Sequence, residues 1–482
     1  MALSLLRPVG YNCSTCGYCS PPGQRSSRKS SRSYGMVAPS MSPSFYQGLI
    51  DRGWRRSGEY VYHPDMRDTC CPQYTIRLDA GAFSPTKNQR GVVNRFNRFL
   101  QTGHKPGEGG DEAAGTQGGG GKAKGKGKGK AKPFDLVEEL RLHQVGYATG
   151  ESKHKFELEF VPAVASDETF ALYKRYQMAV HNDGPGKNSM TSFSRFLCDS
   201  PLGDEAITYS DGADTAHLPQ HYGSYHLLYR VDGKLVGISV IDVLPACVSS
   251  VYFIWDPDWA WAALGKLSAL FEIALVREMA AAGAEGMKWL YMGYWIADCA
   301  KMRYKGEYAP SFLLDPGTQQ FHLLTSKLDT FLQSHKGYIG FTDVEAMSAE
   351  AVNAAKAAAP AVNGSGEASQ SHDVSMEEKG EWADEDEDSE DDESEDDDAE
   401  YPTPPPPGML DPATLSAELL GSLVVFTDTG SGLGLVPYAM FKRRLRPAGR
   451  RMTTELVAAV GPELLASIKN RQFEEKGLLF FG

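Results

Sequence analysis

The clearest pattern of apolar and polar positions lies in the middle of the chain. Residues 221–229 and 235–243 alternate or run apolar like paired strands, with Val231-Asp232-Gly233-Lys234 as a hairpin turn between them. β-branched and aromatic residues favour further strands over 248–255 and 288–294. Helical spacing between these two strands predicts a long helix with a buried face, through Trp261, Leu264, Ser268, Phe271 and Leu275. This order of elements predicts a mixed α/β domain of acyltransferase size.

Two low-complexity stretches divide the chain. Residues 103–133 are rich in Gly and Lys, and residues 360–408 run from small residues through an acidic tract to prolines. Neither can bury enough apolar surface to order itself, so we expect disordered insertions. The remainder is a first domain over 1–102, a second over 134–359, and a carboxyl-terminal segment over 409–482 that we expect to complete the second domain.

The net charge of −13 reflects one tract. Residues 376–400 contain 17 acidic residues and one lysine, which leaves the rest of the chain weakly positive. Overall charge therefore neither supports nor excludes a nucleic-acid partner. One basic cluster near the carboxyl end is either an RNA-backbone contact or an exposed helix end. It comprises Lys442, Arg443, Arg444 and Arg446, with Arg450 and Arg451 beyond.

Several classes of protein lack support in the sequence. No apolar run approaches a membrane span, and the first residues show no secretory signal, so we expect no membrane association and a cytoplasmic location that leaves the nucleus open. The patterns G-x-S-x-G, G-x-x-x-x-G-K-[ST] and H-E-x-x-H are absent. Serine hydrolysis, nucleotide hydrolysis and zinc proteolysis therefore lack their usual signatures.

Five of the eight cysteines lie in the first 71 residues, as Cys13, Cys16, Cys19 and the adjacent pair Cys70-Cys71. A C-x-x-C pair on a turn can hold one ion, and a second pair closes a four-coordinate site. The alternatives are buried thiols without a ligand and a disulfide, which would need an oxidising compartment. Zinc and an iron–sulfur cluster both accept four thiolates, so the sequence leaves the identity of the centre open.

Charged and phenolic residues near strand ends are the other candidates for chemistry. Lys301, Arg303 and Lys305 alternate, and an extended backbone would point all three to one face, where they would bind a carboxylate or phosphate or else form a solvated edge. Asp256, which precedes Pro257, fits a helix cap, and acidic groups there argue against a coenzyme A pyrophosphate. Asp242, Tyr225 and Tyr252 are the remaining candidates for catalysis or binding. Each could instead be an ordinary strand-end or core residue.

Six blocks in this order resemble the eukaryotic arginyl-tRNA protein transferases. The resemblance spans roughly residues 8–102 and 134–345, with a weaker part after 415. Six ordered blocks are far more specific than any one. They are Cys16-Gly17-Tyr18-Cys19 with Cys70-Cys71, Gly223-Ser224-Tyr225-His226, Ile241-Asp242-Val243-Leu244-Pro245, Val248-Ser249-Ser250-Val251-Tyr252, Asp256-Pro257-Asp258 and Lys301-Met302-Arg303-Tyr304-Lys305-Gly306.

The resemblance implies transfer of arginine from arginyl-tRNA to the α-amino group of proteins that begin with Asp, Glu or oxidised Cys, which marks them for ubiquitin-dependent degradation. It further implies a GNAT-like transferase domain. We expect no nucleotide cofactor in the transfer step, and we expect a monomer. An amino-terminal cysteine-rich domain would hold an iron–sulfur cluster or zinc, and Cys13 lies outside that pattern as an extra thiol. The implied ligands are Cys16, Cys19, Cys70 and Cys71.

Aminolysis of an aminoacyl ester needs no covalent enzyme intermediate, so the enzyme must join amine and ester, accept a proton and stabilise the oxyanion. Asp242 is the candidate proton acceptor or partner of the arginyl guanidinium, with Asp256 as competitor for the second role. The face formed by Lys301, Arg303 and Lys305 would read the acidic first side chain. Further substrate-binding candidates are Tyr304, Tyr225, Tyr252 and Ser249.

The chain departs from the family at Ala297-Asp298-Cys299, where a His-Ser pair usually precedes the cysteine. No role that needs that histidine is therefore assigned. Two competing functions are a CoA-dependent N-acetyltransferase of GNAT type and a non-catalytic, redox-sensing RNA-binding protein. A leucyl-transferring variant is the nearest enzymatic rival, but it would normally lack the amino-terminal cysteine blocks.

Overall fold

A computed structural model shows two main sheets with helices packed between and around them. Most of the predicted insertions 103–133 and 360–408 lies outside the described residues. The structure describes residues 4–21, 24–106, 133–146, 152–342, 400–428, 433–466 and 479–480.

Nine strands of the described chain form the larger sheet. They are β5 (Tyr74–Asp79), β6 (Phe156–Pro162), β7 (Glu205–Ala206), β8 (His221–Val231), β9 (Lys234–Leu244), β10 (Cys247–Trp255), β11 (Trp289–Trp295), β12 (Ser311–Asp315) and β13 (Gln320–Leu323). Their order is β13-β12-β5-β11-β10-β9-β8-β6, with β7 paired to β8. Only the pair β10 and β11 is parallel among the described strands of this sheet.

The smaller sheet contains four strands from the amino-terminal part of the chain and one from near its carboxyl end. The strands are β1 (Leu5–Thr15), β2 (Lys29–Ser40), β3 (Arg55–Ser57), β4 (Tyr60–Pro64) and β16 (Leu479–Phe480). Their order in the sheet is β16-β1-β2-β4-β3. A separate hairpin pairs β14 (Val424–Asp428) with β15 (Leu433–Pro437).

Twelve α-helices lie in the described residues. They are α1 (Pro43–Ile50), α2 (Lys87–Thr102), α3 (Leu136–Arg141), α4 (Asp167–Tyr176), α5 (Met190–Phe193), α6 (Leu264–Ala281), α7 (Ala300–Arg303), α8 (Ser326–Ser334), α9 (Ala417–Gly421), α10 (Tyr438–Phe441), α11 (Pro447–Val460) and α12 (Pro462–Ala466). Helix α6 packs on β10, and most of its side chains are buried. None of the helices in the described part of the chain has the length and apolarity that a membrane span needs.

The strands predicted in the middle of the chain are confirmed, and so is the mixed α/β class. Asp232 and Gly233 have φ values of 50° and 78°, as a two-residue hairpin turn requires. The predicted helix begins later than expected, at Leu264, because a 3₁₀ turn (Pro257–Ala262) and the left-handed Ala263 separate it from β10. Trp261 therefore lies in that turn, and its assignment to the long helix was wrong.

Contacts in the structure cross the predicted domain limits. Strand β5, from within residues 1–102, lies between β11 and β12 in the larger sheet. The carboxyl-terminal segment 409–482 packs on the smaller sheet, where Leu456 and Val457 of α11 share a buried cluster with Leu6. The same cluster also includes Leu244, Cys247 and Tyr291 from the second predicted domain, and the expectation that the segment completes that domain stays a prediction. The finer expectation of a GNAT-like domain stays a prediction.

Asp256 is the capping residue that its sequence position predicts. Its buried carboxylate accepts a hydrogen bond from the amide of Asp258 and forms ion pairs with Arg175 at 2.7 Å and Lys234 at 2.8 Å. Burial acts to raise the pKa of Asp256, but the hydrogen bonds and charges of these partners prevail and hold it below its usual value. The chain's own cations therefore occupy this carboxylate.

We expect Asp256→Asn to lower the free energy of unfolding by about 1–3 kcal/mol at pH 7, because the variant loses two charge-assisted contacts. Since the folded-state pKa is depressed, the wild-type advantage is present above the unfolded pKa and shrinks as the pH falls through the folded value. Urea unfolding at pH 7 and pH 3 measures this difference. Asp258→Asn, at a side chain that is 69% exposed, is the matched control and should change stability by less than about 0.5 kcal/mol. Equal effects of the two variants would refute the capping account.

Candidate functional site

A cavity opens where the parallel pairing of β10 with β11 stops. Strands β10 and β11 pair over three residues, 247–249 with 289–291. From the last of these pairs onward, residues 249–253 of β10 and 292–294 of β11 line a cavity of about 170 Å³. The predicted substrate-binding residues Ser249 and Tyr252 are therefore both at the cavity.

The segment from Lys301 to Lys305 supplies another part of the lining, in a conformation that differs from the prediction. It forms helix α7 and a 3₁₀ turn (Tyr304–Glu307), so the expected extended backbone was wrong. Residues four apart share a helix face, and Lys301 and Lys305 accordingly both line the cavity, as does Tyr304. Arg303 is not among the lining residues, and its guanidinium lies 3.5 Å from the carboxylate of Asp329 in α8.

Two arginines of β3 complete the cationic side of the cavity. Arg56 lies against Asp242 of β9, with Nε to Oδ2 at 2.9 Å and Nη2 to Oδ1 at 2.5 Å. The Ser224 hydroxyl donates to the same carboxylate at 2.6 Å. Asp242 is fully buried and does not line the cavity, so its geometry is that of a group that positions Arg56. The structure gives no support to Asp242 as the proton acceptor.

Arg55 is a buried cation without a carboxylate partner. Its guanidinium donates to the carbonyls of Trp54 at 2.6 Å and Gly293 at 3.2 Å and lies 5.1 Å from the ring centroid of Tyr294. Its Nε has no hydrogen-bond partner. Within the described residues, neither Arg55 nor Lys301 forms an ion pair. Both can therefore receive an anionic group of a ligand.

Glu272 of α6 is the one acidic residue among the described residues that line the cavity. Its side chain is buried, and its Oε1 has no hydrogen-bond partner. Burial raises the pKa of Glu272 to about 7, against the opposing effect of the Ser250 and Ser239 hydroxyls. Glu272 is not among the residues predicted from the sequence, although it is the one acid among the mostly apolar residues 267–276.

The remaining predicted residues lie away from this cavity. Tyr225 lines a second cavity of about 670 Å³ beside β8, and its hydroxyl donates to the carbonyl of His221 at 2.8 Å. Asp256 is absent from the lining of the cavity between β10 and β11. The basic cluster near the carboxyl end is exposed and occupies the turn between α10 and α11, with side chains Lys442, Arg443, Arg444 and Arg446.

The predicted cysteine ligands come together at one place. The Sγ atoms of Cys16, Cys19, Cys70 and Cys71 all lie within 4.8 Å of one another, with 3.8 Å from Cys19 to Cys70 and 3.9 Å from Cys70 to Cys71. The cluster is therefore close enough to hold a metal ion. Cys13 is outside it, and its sulfur accepts a hydrogen bond from Arg32 at 3.0 Å. All eight cysteines carry free thiols, so the disulfide alternative is not supported.

The thiols of this cluster interact strongly. A hydrogen bond from Cys71, with further ones from the amides of Tyr18 and Cys19, lowers the pKa of Cys16 to about 5. The pKa of Cys71 is raised, first by its hydrogen bond to Cys16 and then by burial. One sulfur is thus already stabilised as the thiolate that a metal requires.

The cysteine cluster and the cavity share a wall. Cys16 and Cys71 belong to a buried cluster that includes Cys299 and Met302, with Tyr18 packed against it. Tyr18 and Met302 also line the cavity. The loop between Cys16 and Cys19 therefore positions a cavity residue directly.

Comparison with known proteins identifies the family. Residues 14–91 match the family model of the arginine-tRNA-protein transferase N terminus, and residues 168–315 match that of its C terminus. Arginyl-tRNA–protein transferase 1 of Drosophila melanogaster is 31% identical over 429 residues, which cover 70% of this chain and 85% of the relative. The chain belongs to the arginyl-tRNA protein transferase family. The predicted enzyme class, with arginyl transfer from tRNA to protein, is thereby confirmed for this transferase.

Two further relatives also match more than half of the chain. Arginyl-tRNA–protein transferase 1 of Arabidopsis thaliana is 29% identical over 71% of this transferase and 76% of the relative. An aspartate/glutamate leucyltransferase of Chromobacterium violaceum is 26% identical over 62% of this chain and 90% of the relative. The chain is thus similar both to a relative named for arginyl transfer and to a relative named for leucyl transfer.

We expect Glu272→Gln to stabilise the fold more at pH 8 than at pH 4. The effect of the substitution on the free energy of unfolding should differ between these two pH values by up to about 3 kcal/mol. The folded-state pKa of this acid, about 7, exceeds its usual 4.5, so the wild-type fold loses stability between these two pH values as the carboxyl ionises. The amide cannot ionise and escapes that loss. Denaturant unfolding from pH 4 to pH 8 measures the difference, and Glu285→Gln, at an exposed side chain, is the control. A pH-independent difference for Glu272→Gln would contradict the burial of an ionisable carboxyl.

Proposed function

We propose that this transferase moves arginine to the α-amino group of proteins that begin with Asp, Glu or oxidised Cys, and so marks them for ubiquitin-dependent degradation. The cavity between β10 and β11 is the place where amine and arginyl ester meet. The observation that carries this proposal is the presence of Arg55, Lys301 and Lys305 in the lining of one cavity. The three kinds of first residue share a short anionic side chain, which these cations attract.

Positioning supplies most of the chemistry in this proposal. A free α-amine has a pKa of about 8, so roughly a tenth is unprotonated near neutral pH. Arg55, Lys301 and Lys305 hold the acidic side chain of the first residue. The amine of that residue can then attack the ester carbon without a covalent enzyme intermediate. The hydroxyls of Ser249 and Tyr252 line the same cavity and are suited to donate to the developing oxyanion.

The tRNA body has a separate contact in this proposal. The exposed basic turn before α11 binds phosphates of the nucleic acid, because clustered Lys and Arg side chains gain affinity from released counterions. The side chains concerned are Lys442, Arg443, Arg444 and Arg446. The second cavity beside β8, with Tyr225, is left without a role.

The cysteine cluster holds one zinc ion in this proposal. Four thiolates around zinc, each at about 2.3 Å, place neighbouring sulfurs about 3.8 Å apart. The distances of 3.8 and 3.9 Å fit that arrangement. An iron–sulfur cluster would insert several iron atoms among the sulfurs and spread them wider. The ion would have a structural role, fixing the loop that carries Tyr18 at the cavity.

We expect the purified protein to contain one zinc ion per chain, and Cys19→Ser to lose most of it, because three thiolates bind zinc more weakly than four. Elemental analysis with an assay for inorganic sulfide measures the content. Cys13→Ser is the matched control, since its sulfur lies outside the cluster, and it should retain the metal. Iron with stoichiometric sulfide, lost in the same variant, would overturn zinc in favour of an iron–sulfur cluster.

We expect Lys301→Ala to reduce kcat/KM for a peptide that begins with Asp by about 10- to 100-fold, the value of one charge-assisted contact. A peptide that begins with Asn should lose much less, since it makes no such contact. Arginine incorporation from labelled arginyl-tRNA into the two peptides measures both values.

Arg303→Ala is the matched comparison, because its guanidinium lies outside the cavity lining. It should keep the preference for Asp. If Arg303→Ala abolished the preference and Lys301→Ala did not, the cavity would be the wrong site. A peptide with a blocked amine should accept no label in any variant, and labelling of it would contradict α-amino transfer.

A further inference from the structure

The described lining of the cavity contains several cationic residues and one carboxyl group, that of Glu272. The recognition of acidic amino termini accounts for the cations but not for Glu272. Glu272 is 1% exposed, and its Oε1 has no hydrogen-bond partner in the protein. A buried carboxyl of this kind is costly unless a cation or donor reaches it. The described cations of the lining lie on β3 and on the segment from α7, whereas Glu272 lies on α6.

Small residues on α6 leave a path along the helix to this carboxyl. The positions three, four and seven residues before Glu272 are Ala269, Ser268 and Gly265, which share its helical face. All three line the cavity. The absence of bulky side chains on this face gives an extended substrate side chain room to reach the carboxyl.

We infer that Glu272 binds the guanidinium of the arginyl group and so selects arginine over uncharged aminoacyl groups. This inference rests on the proposed placement of the transfer reaction in this cavity. The arginyl group needs an acidic partner, because the remaining charged groups of the described lining are cationic and repel it. A carboxylate can receive a guanidinium through two parallel hydrogen bonds, which gives geometric selectivity as well as energy.

The groups around Glu272 are compatible with this role. The hydroxyls of Ser239 and Ser250 favour its ionised form. Tyr229 and Tyr308 are neighbours of the carboxylate. Burial raises the pKa of each phenol first, the charge of Glu272 raises it further, and both phenols are therefore neutral. A bound guanidinium would neutralise the carboxylate without displacing a salt bridge, because none is formed by Glu272 within the described residues.

Two other roles for Glu272 make different predictions. A proton acceptor would act on the attacking amine and would therefore matter equally for every aminoacyl group. A purely structural carboxyl would change folding or both substrates alike. Only guanidinium binding makes the effect of a variant depend on the charge of the transferred amino acid.

The test uses the full-length transferase and one tRNA body charged with either arginine or citrulline. Citrulline keeps the length of the arginine side chain but carries an uncharged urea in place of the guanidinium. We expect the wild type to favour the arginyl over the citrullyl group by about 100-fold in kcat/KM, and Glu272→Gln to reduce that ratio below about fivefold, chiefly through the arginyl value. Glu272→Asp keeps the charge and should retain most of the preference, which covers the case in which the amide variant fails to fold.

An unchanged ratio in Glu272→Gln, or an equal loss for both aminoacyl groups, would overturn the inference. Lys301→Ala separates this failure from failure of the proposed site. If Lys301→Ala lowers the preference for Asp-starting peptides while Glu272→Gln leaves the aminoacyl ratio intact, only the role of Glu272 is wrong. If neither variant alters its own substrate preference, the cavity is not the reaction site.

Discussion

The buried ion pair between Arg56 and Asp242 connects the two sheets, and the cavity depends on it. Taking two charges out of water is expensive, and the cost is offset only when geometry is good and the remaining polar atoms are bonded. Here both carboxylate oxygens receive the guanidinium, and Ser224 donates as well. Because Arg55 directly precedes Arg56 in a three-residue strand, the pair also holds the next guanidinium at the cavity. The loss of either partner would leave a buried charge beside the substrate site.

A second constraint is the short parallel pairing of β10 with β11. A longer ladder would close the gap with backbone hydrogen bonds, whereas pairing over three residues lets the strands separate and expose their side chains to a common space. Helix α6 covers one side and contributes Glu272, and the smaller sheet covers another and contributes Arg55. The cysteine cluster stabilises the remaining wall through Tyr18 and Met302. The amino-terminal part is therefore a component of the cavity as well as the carrier of the cysteine cluster.

The sequence predicts the features that depend on neighbouring residues. The hairpin turn at Asp232-Gly233 and the C-x-x-C spacing are local, and the structure bears both out. The alternation of cations around Arg303 is ambiguous, because charges at i and i+4 share a face of a helix as readily as of a strand. Arg56 could not be assigned from sequence, since its partner lies 186 residues away. The place of β5 in the larger sheet could not be assigned for the same reason, because its partners β11 and β12 lie in distant parts of the chain.

Under the proposed function, opposite charges in one cavity would give two different substrates a physical reason to take up one arrangement there. An acidic amino terminus is drawn to Arg55 and Lys301 and repelled by Glu272, whereas an arginyl side chain experiences the reverse. Charge interactions are strong in a space walled by buried side chains, since little water screens them. In the proposed reaction each substrate would therefore be excluded from the other's place, and the amine of one would be held beside the ester of the other.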